Sequence, residues 1–127
     1  MNAHKSCRIA LDGLGGDGGV DVNMAGARLA LDADPHLSIL VFGPEAMLQP
    51  VAAGWAEDLH RRLEISDTTV GLAADAGPVD ALRKGRKSSM ALALGALSTR
   101  QVDAAVSAGS TGALMVLSRH LLGTWPG

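Results

Sequence analysis

The stretch CRIALDGLGGDGG, residues 7–19, runs from a short apolar segment straight into a loop with five glycines and two aspartates. An apolar strand that empties into a glycine loop is the opening of a strand–loop–helix unit, so these thirteen residues set the fold class as α/β. Within them, Gly13-Leu14-Gly15-Gly16-Asp17-Gly18 fits the pattern G-x-G-x-x-G letter for letter. In dinucleotide-binding units the glycines of that pattern permit a tight turn and the pyrophosphate sits at the next helix N-terminus. An acid after the second strand grips the ribose, and Glu45, just beyond Phe42-Gly43-Pro44, stands where that acid would fall.

The aspartates weigh against a pyrophosphate in this loop. Two like charges at 4 Å and an effective dielectric of 20 repel by roughly 4 kcal/mol, comparable to what one good phosphate contact returns. Three other readings remain for this loop. Asp12 and Asp17 accept backbone N–H bonds and hold the turn while glycines supply positive φ; or Asp12, Gly15, Gly16 and Asp17 meet a substrate directly; or a divalent ion sits between the carboxylates.

Working outward, Arg8–Leu11 is expected as a first strand and 21–33 as a helix with Asp21 as N-cap and Val22, Ala25 and Leu29 along one face. Asp34-Pro35 ends it. Leu37–Phe42 is a nearly continuous apolar run, the signature of a strand covered on both faces in a parallel sheet, and strand–helix–strand at these lengths predicts a right-handed crossover. A weaker helix over 45–53, interrupted by Pro50, leads through a polar stretch with Trp55 to a short strand near 63–65. Helices over 79–84 and 89–99, a strand over 103–107 and a helix through Leu122 complete the pattern.

The second glycine turn, SAGSTGA at 107–113, holds no acid. Its hydroxyls and backbone N–H groups gather at a helix N-terminus, where about half a positive charge accumulates, so Ser107, Gly109, Ser110, Thr111 and Gly112 form the better site for a phosphate or carboxylate. Ser110 or Thr111 is expected to cap the helix, and Gly112 to allow close approach of an anion or a neighbouring backbone. The hydrolase pattern G-x-S-x-G is absent around Ser110. Upstream, ALRKGRKSSMAL packs Arg83, Lys84, Arg86 and Lys87 ahead of Ser88 and Ser89 at another helix start. That run is either a solvated surface or, through Lys84, Lys87, Ser88 and Ser89, a second anion contact.

Composition narrows the partners. Aromatic residues make up 2% of the 127, a mere Phe42, Trp55 and Trp125, which leaves few platforms for stacked bases, and a net charge of −2 gives no overall basic field. No nucleic acid is expected. Cys7 is the lone cysteine and His4, His36, His60 and His120 show no ligand spacing, so neither a disulfide nor a metal site is expected, and a reducing cytoplasm fits best. The N-terminus does not read as a signal peptide and no apolar run reaches membrane-spanning length. No Ser-His-Asp or Cys-His arrangement can be argued, and no residue is assigned as catalytic.

Three segments, IALDGLGGDGG at 9–19, DALRKGRKSSM at 80–90 and DAAVSAGSTGALM at 103–115, together resemble the phosphate acyltransferases of bacterial phospholipid synthesis in order and spacing. The chain departs from that family in having Gly13-Leu14 before the paired glycines, Gly18 and Val20 after Asp17, and Ser110 where Asn is usual. The resemblance implies transfer of a fatty acyl group from acyl-acyl-carrier-protein to inorganic phosphate, with no nucleotide cofactor. A phosphate oxygen attacks the thioester carbonyl, N–H and hydroxyl donors stabilise the oxyanion, and the carrier thiol leaves. It further implies a three-layer α/β/α fold with a mainly parallel sheet of the isocitrate/isopropylmalate dehydrogenase type, and a homodimer. The expected location is cytoplasmic or peripheral at a membrane, with a membrane-bound glycerol-3-phosphate acyltransferase as a further partner. Because members of that family are far longer, residues 1–127 read as the N-terminal part of a single acyltransferase domain, expected to fold poorly and turn over little alone. Two alternatives stand beside this reading: an NAD-binding dehydrogenase-like domain, and a non-catalytic module that binds an anion or the carrier protein.

Overall fold

The computed structural model describes residues 5–73 and 75–126; His4 and Gly127 lie outside the described residues. Four strands, β1 (Cys7–Asp12), β2 (Leu37–Gly43), β3 (Leu63–Asp67) and β4 (Ala104–Val106), form one parallel sheet in the order β3-β2-β1-β4. Between and after them run α1 (Gly19–Ala33), α2 (Glu45–Ala52), α3 (Glu57–Arg61), α4 (Pro78–Lys84), α5 (Ser89–Ser98) and α6 (Thr111–Leu122), with a 3₁₀ turn over Gly85–Lys87.

Strand side chains alternate between faces, and the two faces carry different helices. Leu11, Leu37, Ile39 and Val41 point to one side, where Met24 and Leu31 of α1, Leu48 of α2, Trp55 in the turn after α2 and Leu59 of α3 close a core. Ala10, Leu40 and Phe42 point to the other, under Ala93 and Ala96 of α5. Helices α4 and α6 pack on α5 through Ala81, Met90, Leu94, Ala113 and Leu117. A parallel sheet covered on both faces explains why β2 reads as a continuous apolar run: all of it but Ser38 is buried.

Several expectations need correction. Helix α1 is capped by the Gly18 backbone with no side-chain bond, and Asp21 lies inside its first turn. Its buried stripe is Val20, Met24, Ala27 and Leu31, whereas Val22 and Leu29 stand 61% and 72% exposed and Ala25 is exposed too. Both stripes obey a helical period, and it is the one carrying Val20, Met24, Ala27 and Leu31 that meets the sheet. Pro50 sits inside α2 without ending it, and the polar stretch after Trp55 contains the short α3.

Arg62, which follows α3, fastens the far end of this layer. Its guanidinium donates to the carbonyls of Leu31, Asp34 and Leu37 and to Asp58, satisfying oxygens at the end of α1 that the helix itself leaves unpaired. Side-chain bonds from Arg62 and then Arg61 hold the exposed Asp58 carboxyl below its ordinary pKa. Among the described residues no helix is long and apolar enough to cross a membrane.

Candidate functional site

The strand order marks a candidate site. The chain moves from β1 outward to β2 and β3, then returns to add β4 on the opposite side of β1, so the loops leaving β1 and β4 diverge from neighbouring strands at one sheet edge. Ligands of open α/β sheets bind in the crevice at such a reversal. Here the two loops are the two glycine turns.

Asp12 joins them. It lies one pleat beyond Ala10 on the α5 face, and the register that pairs Ala10 with Ala105 brings Ser107 beside it. The carboxylate is 2% exposed. Oδ1 accepts from the N–H groups of Leu14 (3.2 Å) and Gly15 (3.0 Å) and from the Ser89 hydroxyl (2.5 Å), while Oδ2 accepts from the Ser107 hydroxyl (2.7 Å). The Ser107 oxygen in turn accepts the Gly109 N–H at 3.1 Å. One buried carboxyl thereby orients the first loop, the start of α5 and the second loop, with four donors replacing its lost hydration.

The glycines of the first loop serve this closure. A Cβ on Gly15 would lie 2.5 Å from Asp12 Oδ2 and 3.0 Å from the Gly109 nitrogen; Gly16, at φ +87°, faces the Ala108 carbonyl. The close approach that G-x-G-x-x-G permits is made here by the second loop. Asn23, which the sequence reading passed over, donates from one amide nitrogen to the Gly13 and Gly15 carbonyls at 3.0 and 2.8 Å. Its signal was an amide one turn into α1, where it can reach back over the loop.

The turn-holding reading is therefore correct for Asp12 and wrong for Asp17, which is exposed and makes no hydrogen bond among the described residues. Asp12 is buried, with both carboxyl oxygens engaged in these bonds. Ser88 and Ser89 are likewise buried and committed: Ser89 binds Asp12, while Ser88 caps α5 by accepting the Ala91 N–H and donating to the Gly85 carbonyl. Ser110 caps α6, accepting from Ala113 at 3.3 Å and donating to the Ala76 carbonyl at 3.0 Å. Gly112 needs no close neighbour, since a Cβ there would find its nearest atom, Ser110 Oγ, at 3.9 Å; the close backbone approach expected at Gly112 belongs to Gly15, Gly16 and Gly109.

The partly exposed rim is thus Gly16, Ser107, Gly109, Ser110, Thr111 and Gly112 at the start of α6, with Asp12 behind it. Lys84 ends α4 and Lys87 ends the 3₁₀ turn, both exposed and without an ion pair among the described residues. Their backbone leads into the buried Ser88-Ser89 pair, which ties the basic run to the same junction.

A family model described as fatty acid synthesis protein matches residues 7–127. The chain is 44% identical over 122 residues to a phosphate acyltransferase of Azorhizobium caulinodans, 42% over 124 residues to one of Methylocella silvestris and 40% over 119 residues to one of Psychromonas ingrahamii. These alignments cover 94%, 97% and 94% of this chain and 34%, 33% and 34% of the respective relatives. The chain spans about a third of the length of the curated relatives it matches. With the family model covering all but the first six residues, the chain belongs to the fatty acid synthesis protein family.

Proposed function

We propose that this chain supplies the phosphate- and thioester-binding part of an acyltransferase that moves a fatty acyl group from acyl-acyl-carrier-protein to inorganic phosphate, giving acyl phosphate for phospholipid synthesis. The observation that carries the reading is the junction of the two loops at the strand-order reversal, fixed by the Asp12 bonds to Ser89 and Ser107. It presents the N-terminus of α6, with Ser107 and the 109–112 backbone, as a preorganised anion cradle. The likeness to phosphate acyltransferases gives that anion its identity.

In the reaction a phosphate oxygen held at this cradle attacks the thioester carbonyl carbon. A C–O bond forms, the carbonyl oxygen takes the negative charge and is met by N–H and hydroxyl donors, and the C–S bond then breaks. The carrier thiolate leaves and takes a proton from solvent. Asp12 performs no proton transfer; it sets the direction of the Ser107 hydroxyl and the Gly109 N–H. Lys84 and Lys87 face anionic groups of the substrates. The same reading carries a fold of the isocitrate/isopropylmalate dehydrogenase type, a homodimer, a cytoplasmic or peripheral membrane location, and a membrane-bound glycerol-3-phosphate acyltransferase as downstream partner.

The test is a chimera in which residues 7–126 replace the matching third of the Azorhizobium caulinodans relative. Acyl phosphate is trapped as hydroxamate after incubation with acyl-acyl-carrier-protein. Phosphate-dependent product is expected, falling at least tenfold in Gly109→Val, whose side chain would meet Met90 and Ser107. A folded chimera that cleaves the thioester at the same rate without phosphate refutes the proposal.

A further inference from the structure

Charge is divided along this chain beyond what the loop junction accounts for. Residues 1–80 hold twelve Asp and Glu against five Lys and Arg; residues 81–127 hold Arg83, Lys84, Arg86, Lys87, Arg100 and Arg119 against the single Asp103. The net charge of −2 thus conceals about −7 on one segment and +5 on the other. Helices α4, α5 and α6 pack on one another as a helical layer that, with the 3₁₀ turn, holds these basic residues except Arg100; its acidic residue is Asp80 in the first turn of α4. The same layer exposes large apolar side chains: Val79 at 64%, Leu82 at 38% and Met115 at 69%.

Two grooves cross this layer on either side of His120. One, of about 310 Å³, lies between α5 and α6 with Leu92, Leu117 and Leu121 in its walls and Arg86 and His120 at its rim. The other, of about 490 Å³, lies between α4 and α6 with Leu82 and Val116 in its walls and Arg119 at its rim. No acidic side chain lines either. An apolar trough rimmed by cations fits a helix whose one face is apolar and whose flanks are acidic, and concave grooves suit a helix better than the plane of a bilayer.

We infer that the α4–α5–α6 face is a docking surface for an acidic amphipathic helix of a partner protein. The partner's source rests on the proposed function, which makes it the acyl carrier protein; docking there would deliver the thioester arm from outside the loop junction. Arg86 and Arg119 set the approach and register of the helix, and Leu92 and Leu117 receive its apolar side.

The test uses the apo carrier protein, which lacks the prosthetic arm and so reports docking without the reaction. Its binding to the 127-residue chain is followed by fluorescence anisotropy at low and high salt. Arg86→Glu/Arg119→Glu is expected to weaken binding by about tenfold or more at low salt, with the gap closing at high salt, while Arg28→Glu on α1 changes it little. Arg86→Lys/Arg119→Lys, which keeps the charge, should restore most of the affinity and guards against a folding defect. Equal binding by the wild-type and charge-reversed chains overturns the inference. So does binding to phosphatidylglycerol vesicles without binding to the carrier, or self-association lost on charge reversal. Carrier docking with no phosphate-dependent product in the chimera would refute the reaction and leave the surface standing; the opposite pair of results would do the reverse.

Discussion

Asp12→Ala should be among the most damaging single substitutions outside the apolar core. The change removes no large volume, so its cost comes from donors left behind. Ser89 Oγ and the Gly15 N–H are buried and lose their acceptor outright, at about 1–3 kcal/mol each, whereas the Leu14 N–H and Ser107 hydroxyl are partly buried and can turn to water. The expected loss is therefore about 2–6 kcal/mol, a large share of the roughly 5–15 kcal/mol that holds an ordinary domain together. Asp12→Asn keeps an oxygen at the Oδ1 position for three donors and replaces one charge-assisted bond, that of Ser107, with an amide that the hydroxyl must accommodate. Its cost should be about 1–2 kcal/mol. Equilibrium urea unfolding by circular dichroism measures both, with an unchanged slope identifying the effect as one of native stability. Amide exchange at Gly15 and Gly109 should quicken in the same order. An Asp12→Ala chain within about 0.5 kcal/mol of wild type, or one more stable than Asp12→Asn, would refute the view of Asp12 as the tie between the loops.

Gly15→Ala should lower the melting temperature by several degrees, because its Cβ falls 2.5 Å from Asp12 Oδ2, while Gly112→Ala should leave it unchanged or slightly raised; a thermal scan of the pair checks the contrast. Val106, 50% exposed on the terminal strand of the sheet, should promote concentration-dependent association that Val106→Lys reduces in sedimentation velocity, since β4 pairs with β1 alone among the described residues. For Asp58 the folded carboxyl titrates below its unfolded value, so its contribution is present above the unfolded pKa and is lost as pH falls through the folded one. Urea melts between pH 5 and 2 should therefore decline slightly less steeply in Asp58→Asn than in wild type, a small effect because the group is fully exposed and screened.

The parts of the fold that could be read from sequence were those with one dominant cause. Leu37–Phe42 announces a strand buried on both sides because almost every position is apolar, and the two glycine turns mark strand ends because nothing else places glycines after an apolar run. The buried face of α1 was not legible in the same way. Val22 and Leu29 form as regular a stripe as Met24 and Leu31, and the choice between them lies in which face packs on the sheet, a contact that no local pattern records. Helix α3 was hidden in its polar stretch, since a five-residue helix has no periodicity of its own to display.

The site shows the same division at finer scale. Residue types at 107–113 suffice to place a helix N-terminus with hydroxyls, and Ser110 caps it as its position suggests. The meaning of Asp12 and of Ser89, by contrast, depends on two alternations acting together. Asp12 shares a face with Ala10, the face covered by α5, and parallel pairing to β4 puts Ser107 at its side. Neither fact is local, and a pattern such as G-x-G-x-x-G, which records a spacing without the partner that fills it, cannot carry them. The first glycine loop can accept the second only because Gly15 and Gly109 lack side chains where their backbones meet, and the buried Asp12 carboxyl is satisfied there because both loops and α5 supply donors. The letters that suggest a crevice for a dinucleotide therefore describe, in this chain, the seam along which two loops close to present the start of α6.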